Sequence, residues 1–146
     1  MDIVDDSILM HRGEARDLVR LRLPPVSYRI ELQMARRVAA GFTPADDEAK
    51  RTTPSESAIV GDLQAVGMAA LGMSLVGGLP QEIPVTYRQC RRDVCVYGDA
   101  VLTALWGMGY TDISHLADVG IAIMTWIDAS LDAREAAVGE ALRSFP

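Results

Sequence analysis

Near the middle of this chain lies a long window without a charged residue, which limits what the chain can fold into. It runs from Leu63 to Gln81, and Asp62 and Glu82 bound it. Since 23% of the chain is charged, the window predicts a membrane span, a helix enclosed by the fold, or a partner-binding surface. A helical span needs about 20 predominantly apolar residues, and Gln64, Ser74 and a Gly-Gly-Leu-Pro end interrupt this one. We therefore expect no membrane span.

Small residues recur at three- and four-residue spacing through this region, as Gly61, Ala65, Ala69 and Gly72. Such a stripe lets another backbone approach closely. Each glycine weakens an isolated helix by about 1 kcal/mol relative to alanine, so packing must offset that cost. The pattern predicts a central, enclosed helix. The alternative is a partner-binding groove, in which methionine would supply adaptable contacts.

Length and charge exclude several classes of protein. A chain of 146 residues predicts one domain, spanning residues 1–146, that buries a sizeable core and needs no disulfide or structural metal to be stable. The net charge is −6 and the pI about 4.8, which argues against nucleic acid as a partner because a phosphate backbone attracts basic surfaces.

The two cysteines indicate neither a disulfide nor a metal site. Cys90 and Cys95 are five residues apart on a predicted helix, so they point in different directions around its axis. No CxxC spacing is present, and both histidines lie far away in sequence. We expect no metal and no cofactor. The acidic N-terminus lacks the features of a signal peptide, so a cytoplasmic location is the expectation.

The N-terminal third predicts a β-hairpin followed by a helix. Residues Ser7 to Met10 and Asp17 to Leu23 read as strands, and Gly13 can adopt the positive φ of a tight turn. A helix is expected over 25–41, after two prolines. Its inward residues would be Tyr28, Leu32, Ala35 and Ala39, and its water-facing residues Arg29, Arg36 and Arg37. An acidic linker is expected over 42–53.

Four further helices are predicted in a helical core over 54–145. The sequence Thr53-Pro54-Ser55-Glu56 has the pattern of a capping box and predicts a helix to about Val76. Another helix is expected from Pro84 to a glycine stop at 107–109. A third would be capped by Thr111 or Ser114 and carry a wide apolar arc to Leu131, and a last one would begin at Asp132 or Glu135. The predicted fold is therefore mainly α, with about five helices and a short N-terminal β-hairpin.

No arrangement of residues predicts a reaction. Nucleophilic catalysis needs a base beside a serine, cysteine or threonine, and the sequence places neither His11 nor His115 in such a pair. The acidic clusters fall in polar segments where carboxylates stay solvated. For a small helical enzyme or inhibitor, the candidates would be Asp93, Asp99 and His115.

The order of these parts resembles that of bacteriophage tail assembly chaperones. The resemblance covers roughly residues 7 to 80: the hairpin HRGEARDLVRLRLPP, the helix SYRIELQMARR, an acidic linker, and a capped TPSES helix that runs into VGMAALGMSL. It implies binding of tape-measure and tail-tube subunits so that their apolar surfaces do not assemble prematurely, with no cofactor and no reaction. The C-terminal helices have no counterpart in that layout.

These observations predict a non-enzymatic protein-binding module that self-associates as a homo-oligomer and holds apolar surfaces of other protein chains. The alternative is a structural or adaptor subunit retained in a larger, possibly viral, particle. Candidate partner-binding residues come from the uncharged window, a small basic patch and the apolar arc of the third core helix: Met68, Leu71, Met73, Arg88, Arg91, Arg92, Ile121 and Met124.

Overall fold

The computed structural model describes residues 3–39, 56–75 and 94–144. In these residues two strands precede four helices: β1 (Ser7–Arg12), β2 (Ala15–Arg20), α1 (Val26–Ala39), α2 (Glu56–Ser74), α3 (Val94–Gly107) and α4 (Ile113–Arg143). The mainly helical class and the N-terminal β-hairpin are as predicted. The described residues contain four helices, where about five were predicted for the whole chain. The predicted linker 42–53, the cap at Thr53 and the helix start at Pro84 lie outside the described residues.

The hairpin turns through Gly13 and Glu14. Gly13 has a φ of 58°, whereas Glu14 does not have a positive φ, which is the pattern of a type II′ turn with glycine at its first central position. The strands pair in an antiparallel register from Arg12 opposite Ala15 to Ser7 opposite Arg20. Alternate residues of β1 therefore face the helices, and both Ile8 and Met10 are buried there.

Helix α2 is the centre of the fold. All residues from Val66 to Ser74 are buried, so this part of the uncharged window is an enclosed helix. Helix α3 packs on its small-residue side, where Gly98 lies against the backbone of Ala65 and Gly72 lies against Val101. On the α4 side a glycine meets a glycine: a Cβ on Gly120 would lie 2.5 Å from the carbonyl carbon of Gly67. These close approaches explain how a glycine-rich helix is stable.

Helix α4 is continuous where the sequence predicted two helices. It runs unbroken from Ile113 to Arg143, because no glycine or proline follows Leu131 closely enough to stop it and a helix that has already formed adds residues without a new nucleation cost. The N-cap is Asp112, not Thr111 or Ser114, and its side chain accepts a hydrogen bond from the His115 backbone N–H at 3.2 Å.

A polar seam joins α1 to α4. The Arg29 guanidinium donates to Ser130 Oγ at 2.9 Å, and the Gln33 amide donates to Asp128 Oδ1 at 2.8 Å. Arg36 forms an ion pair with Asp128 at 2.5 Å. Arg29 and Arg36 therefore contact α4, and the prediction that both face water is wrong, because sequence periodicity does not reveal which polar residues line a helix interface. Arg37 is exposed.

None of the described helices combines the length and the apolar character that crossing a bilayer would require.

Candidate protein-binding surfaces

The structure separates the predicted partner-binding residues into three groups. Most are buried in the core of the same chain: Met68, Leu71, Met73 and Met124. Ile121 is half exposed and faces solvent from α4. The basic residues Arg88, Arg91 and Arg92 lie outside the described residues. Among the predicted partner-binding residues that the structure describes, Ile121 is thus the one that a partner can contact without displacing the core.

The C-terminal third of α4 is exposed along its whole length. From Asp132 to Ser144 every residue except Gly139 is exposed, and we call this segment the α4 tail. At 100° per residue, Leu131, Val138 and Leu142 lie within about 40° of one another around the helix axis. Val138 is 48% and Leu142 68% exposed. Leu131, which packs partly buried against the core just before the tail, and the exposed Val138 and Leu142 form an apolar line, named here the tail stripe.

The tail stripe begins where the packing of α4 ends. The last side-chain hydrogen bond that ties α4 to another described element is that of Ser130 with Arg29. Single exposed apolar residues are common on protein surfaces. An apolar line on a helix segment that leaves the core is a different arrangement, because it has the i, i+7, i+11 spacing with which helices pack on one another.

The hairpin carries a second apolar spot on the face turned away from the helices. Leu9 and Leu18 are directly opposite each other in the register and are 39% and 74% exposed. Alternation places Arg16 and Arg20 on the same face, one on each side of Leu18. We refer to Leu9, Arg16, Leu18 and Arg20 as the outer hairpin face.

A histidine pair joins the hairpin to the first turn of α4. The backbone N–H of His11 donates to Nε2 of His115 at 3.1 Å, and the two rings meet edge to face with centroids 4.4 Å apart. Burial, together with the neighbouring His11, lowers the pKa of His115 below its ordinary 6.5. An Nε2 atom that accepts a hydrogen bond carries no proton, so this contact requires neutral His115.

A second contact between the hairpin and the helices lies beside the first. The Tyr110 hydroxyl donates to Asp17 Oδ2 at 2.9 Å, and Arg12 forms an ion pair with the same carboxylate at 3.3 Å. Burial, and then the hydrogen bond to Asp17, raise the pKa of Tyr110 above its ordinary 10.0. The Arg12 guanidinium also lies 5.9 Å from the Tyr110 ring centroid. These contacts fix the hairpin to the turn between α3 and α4.

This polar cluster was not found from the sequence. His11 and His115 are 104 positions apart, and no local pattern connects a residue beside a hairpin turn with one in a distant helix. Its chemistry is that of hydrogen bonding and charge pairing. Asp99 is exposed on α3, away from this cluster in sequence, and Asp93 lies outside the described residues. Among the residues that the structure describes, no three His, Cys, Asp or Glu side chains are grouped to hold a metal ion.

An open pocket of about 410 Å³ lies between the base of the hairpin and α4. The residues that line it are Asp6, Arg20, Leu21, Arg22, Leu23 and Trp126. Neither His115 nor Asp99 contributes to its lining. The residues that line it are one acidic, two basic and three apolar, and no serine, threonine or cysteine is among them.

Comparison with known proteins gives no relative for this chain: no family model, no curated protein and no solved structure matches it.

Proposed function

We propose that this chain is a non-enzymatic protein-binding module that holds partner chains on the tail stripe of α4. The observation that carries the proposal is the exposure of Val138 and Leu142 on a helix segment that leaves the core. Fully burying an exposed valine or leucine side chain contributes about 1.5 to 3 kcal/mol, so a partner that covers the stripe gains binding energy from these two residues.

The mode of binding is that of a helix in a groove or of paired helices. In both, apolar side chains spaced by three, four or seven residues anchor one helix on an apolar partner surface. The charges beside the stripe, Arg134 and Glu135, would fix the orientation more than the affinity. Partner chains with an apolar groove or an amphipathic helix are the class that suits this surface, and a second copy of the chain belongs to it.

The resemblance in layout over residues 7 to 80 refines the proposal to an assembly factor of the bacteriophage tail chaperone type. Such a protein acts in the cytoplasm of the host and keeps apolar surfaces of tail subunits apart until assembly. The tail stripe of α4 lies outside residues 7 to 80, which carry the resemblance. It therefore adds a binding surface to the chaperone layout.

Site-specific photo-cross-linking in the host cell tests the proposal. A photoreactive amino acid at Val138 should give cross-linked products, either with another protein or with a second copy. The matched control is the same amino acid at Ala136, which is exposed on the other side of the helix. The change Val138→Asp should abolish the complex that the cross-link identifies, while Ala136→Asp should leave it intact.

Two results would contradict the proposal. One is equal cross-linking from positions 138 and 136, because the stripe would then have no role in binding. The other is turnover of a small molecule by the purified chain, which would make it an enzyme. Circular dichroism of both aspartate variants should show wild-type helix content, so that a loss of binding is not a loss of folding.

A further inference from the structure

The hairpin has one strand edge whose backbone groups have no partner among the described residues. In an antiparallel pair, alternate residues direct their N–H and C=O groups towards the partner strand and away from it. The turn makes Arg12 and Ala15 a bonded pair, and Leu21 continues the ladder by donating to the Asp6 carbonyl at 2.6 Å. On β2 the outward positions are therefore Arg16, Leu18 and Arg20.

Two hydrogen bonds show that backbone N–H groups that point away from the hairpin ladder can bond to other parts of the chain. On the edge of β1, the His11 N–H bonds to His115. Two residues beyond the end of β2, on the same side, the N–H of Arg22 donates to the Ser74 carbonyl at 2.6 Å. The three outward positions nearer the turn have no such partner in residues 3–39, 56–75 and 94–144. Within those ranges, the outer edge of β2 is thus a row of unpaired backbone N–H and C=O groups. It lies next to the bond that Arg22 makes with Ser74.

The side chains at these positions define the chemistry of what can pair there. Leu18 is 74% exposed, and Arg16 and Arg20 stand on either side of it. In the part of the chain that the structure describes, neither arginine forms an ion pair, since Asp17 is taken by Arg12. The net charge of the chain is −6, so this is a local basic surface on an acidic protein.

We propose that the outer edge of β2 binds an extended acidic segment of a partner protein as a third strand. Residues directly opposite on neighbouring strands place their side chains on the same face. The bound segment would therefore present an acidic, an apolar and an acidic side chain at alternate positions, against Arg16, Leu18 and Arg20. This addition of a strand is an established way in which proteins bind extended peptides. The proposal goes beyond the tail stripe and does not depend on it.

A second copy of the hairpin does not suit this edge. Antiparallel pairing of β2 with β2 about Leu18 would place Arg16 of one copy opposite Arg20 of the other, and like charges directly opposite are destabilising. Edge arginines in this way discourage pairing between copies. An acidic strand replaces the repulsion with attraction, which is why we assign an acidic partner.

The test is an NMR titration of the full chain with a defined peptide, acetyl-Thr-Asp-Thr-Leu-Thr-Asp-Thr-amide, at low salt. The expected result is that amide signals of Arg16, Leu18 and Arg20 shift. With peptide at about ten times its Kd, their hydrogen exchange should slow about tenfold. A peptide with lysine in place of both aspartates should not bind. A peptide N-methylated on the amides that face the protein should bind at least about tenfold more weakly, because it cannot complete the ladder.

Charge-matched variants locate the binding surface. The double change Arg16→Glu/Arg20→Glu should weaken peptide binding about tenfold or more. The control Arg37→Glu/Arg143→Glu alters the net charge equally at exposed positions on two helices and should bind as the wild type does. The peptide results on the unaltered chain hold even where a variant folds poorly.

Several outcomes would overturn the proposal. Equal binding of the aspartate and lysine peptides, or of the N-methylated peptide, would exclude a paired acidic strand, as would no binding at all. Strong protection of the Arg16, Leu18 and Arg20 amides in the protein alone would show that another part of the chain covers the edge. A dimer that the arginine double variant dissociates would show that a second copy does.

Discussion

Seven residues of α4 between Leu116 and Ile127 are buried, whereas from Asp132 to Ser144 every residue except Gly139 is exposed. The same helix thus has two regions with opposite surroundings. In the first region it packs against α1, α2 and β1. In the second it continues for about three turns without a described neighbour.

The contrast shows that two different sources of stability act on one helix. The first region is rich in β-branched residues, which form helices less readily than alanine, and it is helical because packing holds it. The tail is rich in alanine, glutamate and arginine, which form helices well. It extends a helix that is already nucleated, so it needs no packing to persist. Its apolar side chains are therefore available to a partner.

The largest expected effect comes from adding one methyl group in each region. The change Gly120→Ala places a Cβ 2.5 Å from the carbonyl carbon and oxygen of Gly67, so α2 and α4 must move apart. We expect a loss of about 2 kcal/mol in the free energy of unfolding, measured by urea denaturation. The matched change Gly139→Ala meets no atom within 4 Å. It should slow amide exchange in the tail through a gain of up to about 1 kcal/mol in helix propensity.

Equal effects of the two alanine substitutions on the urea midpoint would remove the distinction between the regions. The Gly120→Ala variant should retain its hairpin and its helix content, because the change acts on the separation of two helices and not on their local conformation.

A smaller effect is expected from removing one carboxylate on each side of the boundary. The change Asp128→Ala removes the partner of both Gln33 and Arg36 and should cost about 1 kcal/mol, since the groups are partly exposed. The change Asp132→Ala, on the exposed tail, gives the same gain in helix propensity as Asp128→Ala. It removes no hydrogen bond or ion pair to the described residues of α1, so the urea midpoint should shift little. If Asp132→Ala were the more destabilising change, the boundary would lie further along the helix.

The smallest expected effect is the pH dependence of the His115 contact at the start of the packed region. The pKa of His115 is lowered from 6.5, so below that pH the unfolded chain binds more protons than the folded chain. The contribution of His115 to stability is complete above pH 6.5 and falls as the pH drops towards the lower folded pKa. Urea midpoints at several pH values should decline more in the wild type than in His115→Gln. A steeper decline in the variant would contradict this direction.

The sequence was sufficient for the parts of the fold that local chemistry specifies. Gly13 marked the turn because a type II′ turn needs a positive φ at its first central residue. The uncharged, small-residue window indicated an enclosed helix, and α2 is buried from Val66 to Ser74. The small-residue stripe did not include Gly67, which makes the closest approach to α4. Helix α2 carries glycines on two sides, and their spacing does not show which side packs on α3 and which on α4.

Features that depend on the fold could not be predicted. Asp132 was predicted to cap a helix because an aspartate can either cap a helix or lie inside one, and the sequence alone does not distinguish the two. In the structure α4 runs through Asp132 without a break. Met68 and Met73 suit both a core and an adaptable surface, and the structure places them in the core. The contact of His11 with His115 joins residues that only the complete fold brings together.

The length of α4 has a consequence for how its neighbours are arranged. The helix meets the hairpin at His115, and Val138 lies 23 residues later. At 1.5 Å per residue the two points are about 35 Å apart along the helix axis. If partners bind the hairpin edge and the tail stripe as proposed above, α4 is the spacer that holds them this far apart.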